Sequence, residues 1–77
     1  MGKSRVSNII RRLRFDHNEM TQKDLAEAIG VTRQTVVAIE NAKYSPTLEL
    51  AFQIALVFDK PLEEVFSFTP LKAGEKK

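Results

Sequence analysis

The sequence predicts an all-α fold: a compact five-helix domain, with the option that its last segment finishes as a short strand. Three observations carry this. Apolar residues recur at three- and four-residue steps along most of the chain. Hydroxyl residues stand where helices begin, Thr21 before Leu25 and Thr32 before Val36. Gly30 and the Ser45-Pro46 pair stand where helices must stop or start. Seventy-seven residues leave room for one core, so residues 1–69 are expected to form a single domain and the polar stretch 70–77 a flexible tail.

Each element has its own justification. Val6, Ile9, Ile10 and Leu13 recur with helical spacing, giving a first helix whose core face is ringed by Arg11, Arg12 and Arg14. Asp16-His-Asn-Glu19 breaks it. Thr21 caps the second helix, with Asp24 three residues on as a stand-in for the capping-box glutamate. Leu25, Ala26 and Ile29 form its buried stripe, and Gly30 suits a left-handed helix end. Thr32 caps the third helix, which turns Val36 and Ile39 inward. The fourth, about residues 47–58, is apolar nearly all round, which predicts burial on more than one side. Asp59-Lys-Pro61 ends it, and Leu62, Val65 and Phe66 make a fifth. The alternation over Val65-Phe-Ser-Phe-Thr69 is the reason for the strand option.

Composition narrows the function. There is no cysteine and one histidine, His17, so neither a disulfide framework nor a Cys/His metal site is expected. No nucleophile–base pair, carboxylate pair or phosphate loop marks an enzyme. The longest apolar run, Ile54 to Phe58, is far below the ~18 residues that span a bilayer, and the polar N-terminus lacks the apolar segment of a signal peptide. The expectation is a cytoplasmic protein without cofactor or membrane. Net charge is +2 but uneven. Lys3, Arg5, Arg11, Arg12 and Arg14 crowd the first fifteen residues without an acid, while Glu49, Asp59, Glu63 and Glu64 face Lys60 alone further on. Such a dipole orients a molecule toward a polyanion.

The chemistry lies in residues 21–43. Two helices joined by a turn at Gly30-Val31 have the form of a helix-turn-helix unit, at about 21–41. Ala26 is small where the helices cross. Leu25, Ile29, Val31, Val36 and Ile39 are apolar where they hold the pair at a fixed angle. In such a unit the second helix lies in the major groove of DNA with its N-terminal residues toward the base edges. Arg33 has the donors for guanine O6 and N7, and Gln34 the donor–acceptor pair for adenine. Thr35 adds a hydroxyl and Thr32 a methyl beside its capping oxygen, and Val37 and Ala38 suit thymine methyl groups. Thr21, Gln22, Asn41, Lys43 and Tyr44 are the candidate phosphate contacts, which position without reading sequence. The surplus apolar surface of the fourth helix, together with Leu62, Val65, Phe66 and Phe68, is the candidate dimer interface. A protein-interaction module of antitoxin type, with DNA binding secondary, is the alternative.

The run TQKDLAEAIGVTRQTVVAIENAKYSP, followed by LELAFQIALVF and LEEVF, resembles the Cro/repressor (XRE-type) helix-turn-helix regulators. It is most similar to their short stand-alone members, of the kind of the enterococcal cytolysin regulator. The resemblance covers roughly residues 5–68. It implies a five-helix, lambda-repressor-like domain that binds an inverted-repeat operator in double-stranded DNA as a homodimer, usually as a repressor; no small-molecule effector is evident. It also implies that Gln22, Asn41 and Lys43 contact phosphates, that Arg33 and Gln34 read bases, and that Arg14 and Glu40 form an internal ion pair. Two departures stand out. The loop before Thr21 is one residue longer than usual, and Ala42 replaces the glycine of the common Asn-Gly-Lys. Either Ala42 adopts a left-handed backbone at about 1 kcal/mol or the strain moves to Asn41.

Overall fold

A computed structural model describes residues 6–68. The expected tail 70–77, with Lys3 and Arg5 of the basic cluster, lies outside the described residues. In chain order the elements are β1 (Val6–Asn8), α1 (Ile10–Asp16), α2 (Gln22–Ile29), α3 (Arg33–Glu40), α4 (Leu48–Val57), α5 (Leu62–Val65) and β2 (Phe66–Phe68). The helices are the expected five, but the fold is not purely helical. Val6 belongs to a strand rather than to the first helix, and β1 and β2 pair antiparallel with Val6 opposite Phe68 and Asn8 opposite Phe66.

Asn8 explains why the helix starts late. Its Oδ1 accepts the Ile10 N–H at 3.1 Å, and its Nδ2 donates to the Ile39 carbonyl at 2.8 Å. The side chain therefore turns the backbone out of the strand and ties that turn to α3. The Ile9 N–H donates to the Val65 carbonyl, and the Ser7 and Ser67 hydroxyls meet at 2.7 Å. The final segment is a strand because this partner exists, not because its sequence alone demands one.

The helix starts follow local chemistry. Thr21 and Asp24 form a reciprocal capping box on α2, and Thr32 and Thr47 each accept the N–H three residues on. Gly30 ends α2 at φ 76°, where an added Cβ would meet nothing within 4 Å, so its role is conformational rather than steric. The end of α3 is different. Ala42 carries φ 59° while Asn41 stays at φ −86°. Ala42 donates to Ile39 and Lys43 to Ala38, the paired bonds of a Schellman close. The left-handed strain thus sits on Ala42 itself. Asn18, Glu19 and Asp59 are left-handed as well, the first two in the loop between α1 and α2.

The core is Ile10 and Leu13 from α1, Leu25, Ala26 and Ile29 from α2, Val36 and Ile39 from α3, Ile54 and Ala55 from α4, with Phe58 and Val65. Fully buried aliphatic side chains of this kind contribute roughly 1.5–3 kcal/mol each. His17 meets Phe58 edge to face at 5.7 Å between ring centres, closing the end of α1 over that of α4.

Two expectations are corrected here. Val65, assigned to a dimer interface, is 1% exposed and fills the subunit's own core, so it has no surface to offer a partner. Helix α4 buries only one side within the subunit. Leu48, Phe52 and Leu56, spaced by four residues, are 66%, 51% and 77% exposed.

Candidate nucleic-acid interface

The site begins with one carboxylate. Glu40, the last residue of α3, accepts the Arg14 Nε at 2.6 Å on Oε2 and the Arg14 Nη2 at 3.1 Å on Oε1. This two-pronged geometry matches the planar guanidinium fork. Arg14 Nη1 donates to the Met20 carbonyl at 2.8 Å, fixing the loop that leads into α2. Gln22, the first residue of α2, donates its side-chain N–H to Glu40 Oε1 at 3.1 Å. Both charged side chains are largely shielded, Glu40 at 6% and Arg14 at 14% exposure. A pair this dry is tolerable because the carboxylate and guanidinium are extensively hydrogen-bonded.

Above this network lies a recess of about 600 Å³, lined among others by Arg11, Gln22, Lys23, Arg33, Glu40 and Asn41. It joins the α1 side of the molecule to the starts of α2 and α3. Arg14 and Glu40 neutralise one another there. Arg11, Lys23 and Arg33 line the same space and have no ion-pair partner among the described residues. Glu19, which also lines the recess, is the opposing charge. The recess therefore has cationic walls and a polar floor, which suits a phosphate.

The candidate base-reading residues separate into three groups. Gln34 and Arg33 are exposed at the start of α3, and their side chains have no hydrogen-bond partner among the described residues. With 100° per residue, Gln34, Val37, Ala38 and Asn41 fall on the side of α3 opposite core residues Val36 and Ile39. Arg33 lies at the edge of that side, toward the recess. Val37 and Ala38 are half-buried and offer only part of their surface. Thr32 and Thr35 are already engaged: Thr32 Oγ1 accepts the Thr35 N–H at 3.2 Å, and the two hydroxyls lie 3.1 Å apart.

Of the candidate backbone contacts, Gln22 and Asn41 line the recess together, whereas Lys43 and Tyr44 are exposed beyond the end of α3. Thr21 borders the recess, its hydroxyl committed to the Asp24 N–H at 2.9 Å. Sequence reasoning missed Arg11 and Lys23 as members of this site. Arg11 had a signal, since it lies three residues before Arg14 and so on the same side of α1; Lys23 had none beyond its place in the first turn of α2. Among the described residues no helix is long and apolar enough to cross a membrane, and no group of His, Asp or Glu is arranged to hold a metal ion.

Comparisons with known proteins bear on the family and the fold. A family model described as helix-turn-helix matches residues 10–65. An HTH-type transcriptional regulator of Methanocaldococcus jannaschii is 46% identical over 63 residues, which are 82% of this chain and 94% of that protein. The Bacillus subtilis HTH-type regulator YgzD is 47% identical over 55 residues, 71% of this chain and 79% of its own. The transcriptional repressor RstR of the cryptic phage CTXphi in Vibrio cholerae is 33% identical over 70 residues, 91% of this chain and 62% of its own. A crystal structure of a Bacteroides fragilis protein assigned as DNA-binding superposes with a TM-score of 0.69 at 19% identity, covering 80% of this chain and 98% of that one. At that identity the likeness speaks for the fold.

Proposed function

Because the chain belongs to the Cro/C1-type helix-turn-helix family of DNA-binding transcriptional regulators, we propose that it represses transcription by binding an inverted-repeat operator as a homodimer. In this reading α3 enters the major groove. Arg33 and Gln34 read base edges, and Val37 and Ala38 touch methyl groups. Thr32 and Thr35 shape the start of the helix through their mutual contact. The observation that carries the reading is the adjacency of two kinds of group: partnerless Arg33 and Gln34 at the start of α3, beside a recess walled by Arg11, Lys23 and Arg33. Gln22, Asn41, Lys43, Thr21 and Tyr44 serve the phosphates flanking the groove, together with Arg11 and Lys23. Repression is the activity named for the phage relative.

Dimerisation is proposed through the apolar side of the molecule. Leu62, Phe66 and Phe68 remain from the face expected on sequence grounds once Val65 is removed. Leu48, Phe52 and Leu56 are the exposed part of α4 on that face, and Phe52 and Leu56 share a groove with Pro61 and Leu62. Two half-sites about one helical turn apart multiply the selectivity of a single helix.

Selection from random-sequence DNA with the purified protein tests the reading. An inverted repeat is expected to emerge, and Arg33→Ala and Gln34→Ala are each expected to erase the preference at one base position per half-site. Each loss corresponds to about 1–3 kcal/mol of discrimination. Failure to enrich any motif, or variants that select as the wild type does, would overturn it.

A further inference from the structure

We infer that Glu40 is a positioning residue for DNA binding, acting through Gln22. The inference rests on the proposed DNA-binding role and adds a second task to a residue otherwise read as half of an internal ion pair. Three elements meet on one carboxylate: Arg14 from α1, Gln22 from the first position of α2, and Glu40 from the last position of α3. The ion pair needs only the first and third of these.

The chemistry of the amide explains the contribution of Gln22. A glutamine side chain has two N–H donors and one oxygen acceptor, and it can present either end to a neighbour by rotating half a turn. An ionised carboxylate only accepts. Against Glu40, the Gln22 amide must therefore present its NH₂ group, because the rotated form would set its oxygen against the carboxylate oxygens. One N–H is used on Glu40 Oε1 at 3.1 Å. The second N–H has no other partner among the described residues, and Gln22 lines the recess with Arg11, Lys23 and Arg33. Glu40 thereby selects the amide orientation that keeps a donor available to a DNA phosphate. A phosphate oxygen also only accepts, so the opposite orientation would repel it.

Arg14 completes the device from behind. It occupies both Glu40 oxygens and ties the loop through the Met20 carbonyl, so the carboxylate cannot swing away from Gln22. The acid is thus nearly hidden from the polyanion it helps to bind, at 6% exposure.

A double-mutant cycle on affinity for the selected operator duplex tests this. The four proteins are the full-length wild type, Gln22→Ala, Glu40→Gln and the double variant, each measured at a temperature where circular dichroism shows it folded. In the wild-type background Gln22→Ala is expected to weaken binding about tenfold, the size of one hydrogen bond to a charged group. In the Glu40→Gln background the same change is expected to cost less than about twofold. The extra positive charge left by Glu40→Gln is common to both members of its arm and cancels. Equal losses in the two backgrounds would overturn the inference while leaving the DNA-binding reading intact. A wild type that binds no duplex would overturn both. Should Glu40→Gln fail to fold, the side-chain amide resonances of Gln22 in the wild type decide. A slowly exchanging N–H present before and after DNA is added is expected; solvent-averaged amide protons in both states would refute the positioning role.

Discussion

The side formed by the starts of α2 and α3 and the side formed by α4, α5 and the sheet are built on opposite terms. On the first, a carboxylate, a guanidinium and an amide are drawn into one hydrogen-bonded network and mostly hidden, while Arg11, Lys23 and Arg33 remain unpaired around them. On the second, Leu48, Phe52, Leu56 and Phe68 are each more than half exposed. The first side organises charge for a ligand that brings counter-charge. The second leaves apolar surface to be removed from water by something equally apolar. Under the proposed function the two demands, reading a polymer and pairing with a second copy, are kept apart, since a charged group on a pairing side would lose hydration without gaining a partner.

The polar side is expected to be the more sensitive to substitution. Glu40→Ala leaves Arg14 shielded and unpaired, which costs about 3 kcal/mol or more and lowers Tm by roughly 12 °C or more in a domain this size. Glu49→Ala, on the exposed first turn of α4, is expected to cost no more than about 0.5 kcal/mol. Thermal unfolding followed by circular dichroism compares the two, and equal melting temperatures would remove the structural role of the pair.

Next is the apolar side. Phe52→Asp should weaken self-association by about 2 kcal/mol, the scale of an interface hot spot, with little change in the fold of the subunit. Sedimentation equilibrium measures it. An unchanged dimer would exclude the α4 stripe, and a wild type that stays monomeric would exclude the whole proposed interface.

Smaller, and reciprocal, is a backbone pair. Ala42→Gly should stabilise by about 1 kcal/mol and Gly30→Ala should destabilise by about as much, because both positions are left-handed and no Cβ clash intervenes at Gly30. Urea unfolding resolves the signs. Smallest is Lys43→Ala, which should weaken all DNA sequences alike and reduce the slope of log affinity against log salt by about one.

The parts legible in the sequence were those fixed by neighbours a few residues apart. Thr21 with Asp24, Thr32, and Gly30 announced their caps and turn, and Leu25, Ile29, Val36 and Ile39 announced the packed pair. The parts that were not legible depend on distant chain. Val6 lies three and four residues before Ile9 and Ile10, so its spacing reads as helix. Its strand exists because Phe68 lies beside it. Val65 looked like spare apolar surface for the same reason, since nothing local says that the β1–α1 junction closes over it. In the candidate site, Arg33 and Gln34 were visible from their place at a capped helix start. Membership of Arg11 and Lys23 was not, because a recess between three helices has no one-dimensional signature. At the end of α3 the sequence allows the strain on either Ala42 or Asn41, and the backbone puts it on Ala42.

The short sheet also bears on how the molecule is assembled in time. Its Ser7–Ser67 contact spans 60 residues, whereas the α2–α3 pair is joined by a turn. Closing so long a loop costs chain entropy before any contact offsets it. The α2–α3 pair is therefore expected to form early, with β1 and β2 meeting late, after the core around Ile10, Ile39 and Val65 has brought the ends together. Substitutions at Ser7 or Ser67 should accordingly quicken unfolding while leaving the folding rate nearly unchanged. The meeting of the two ends is a latch on a finished structure rather than the seed of it.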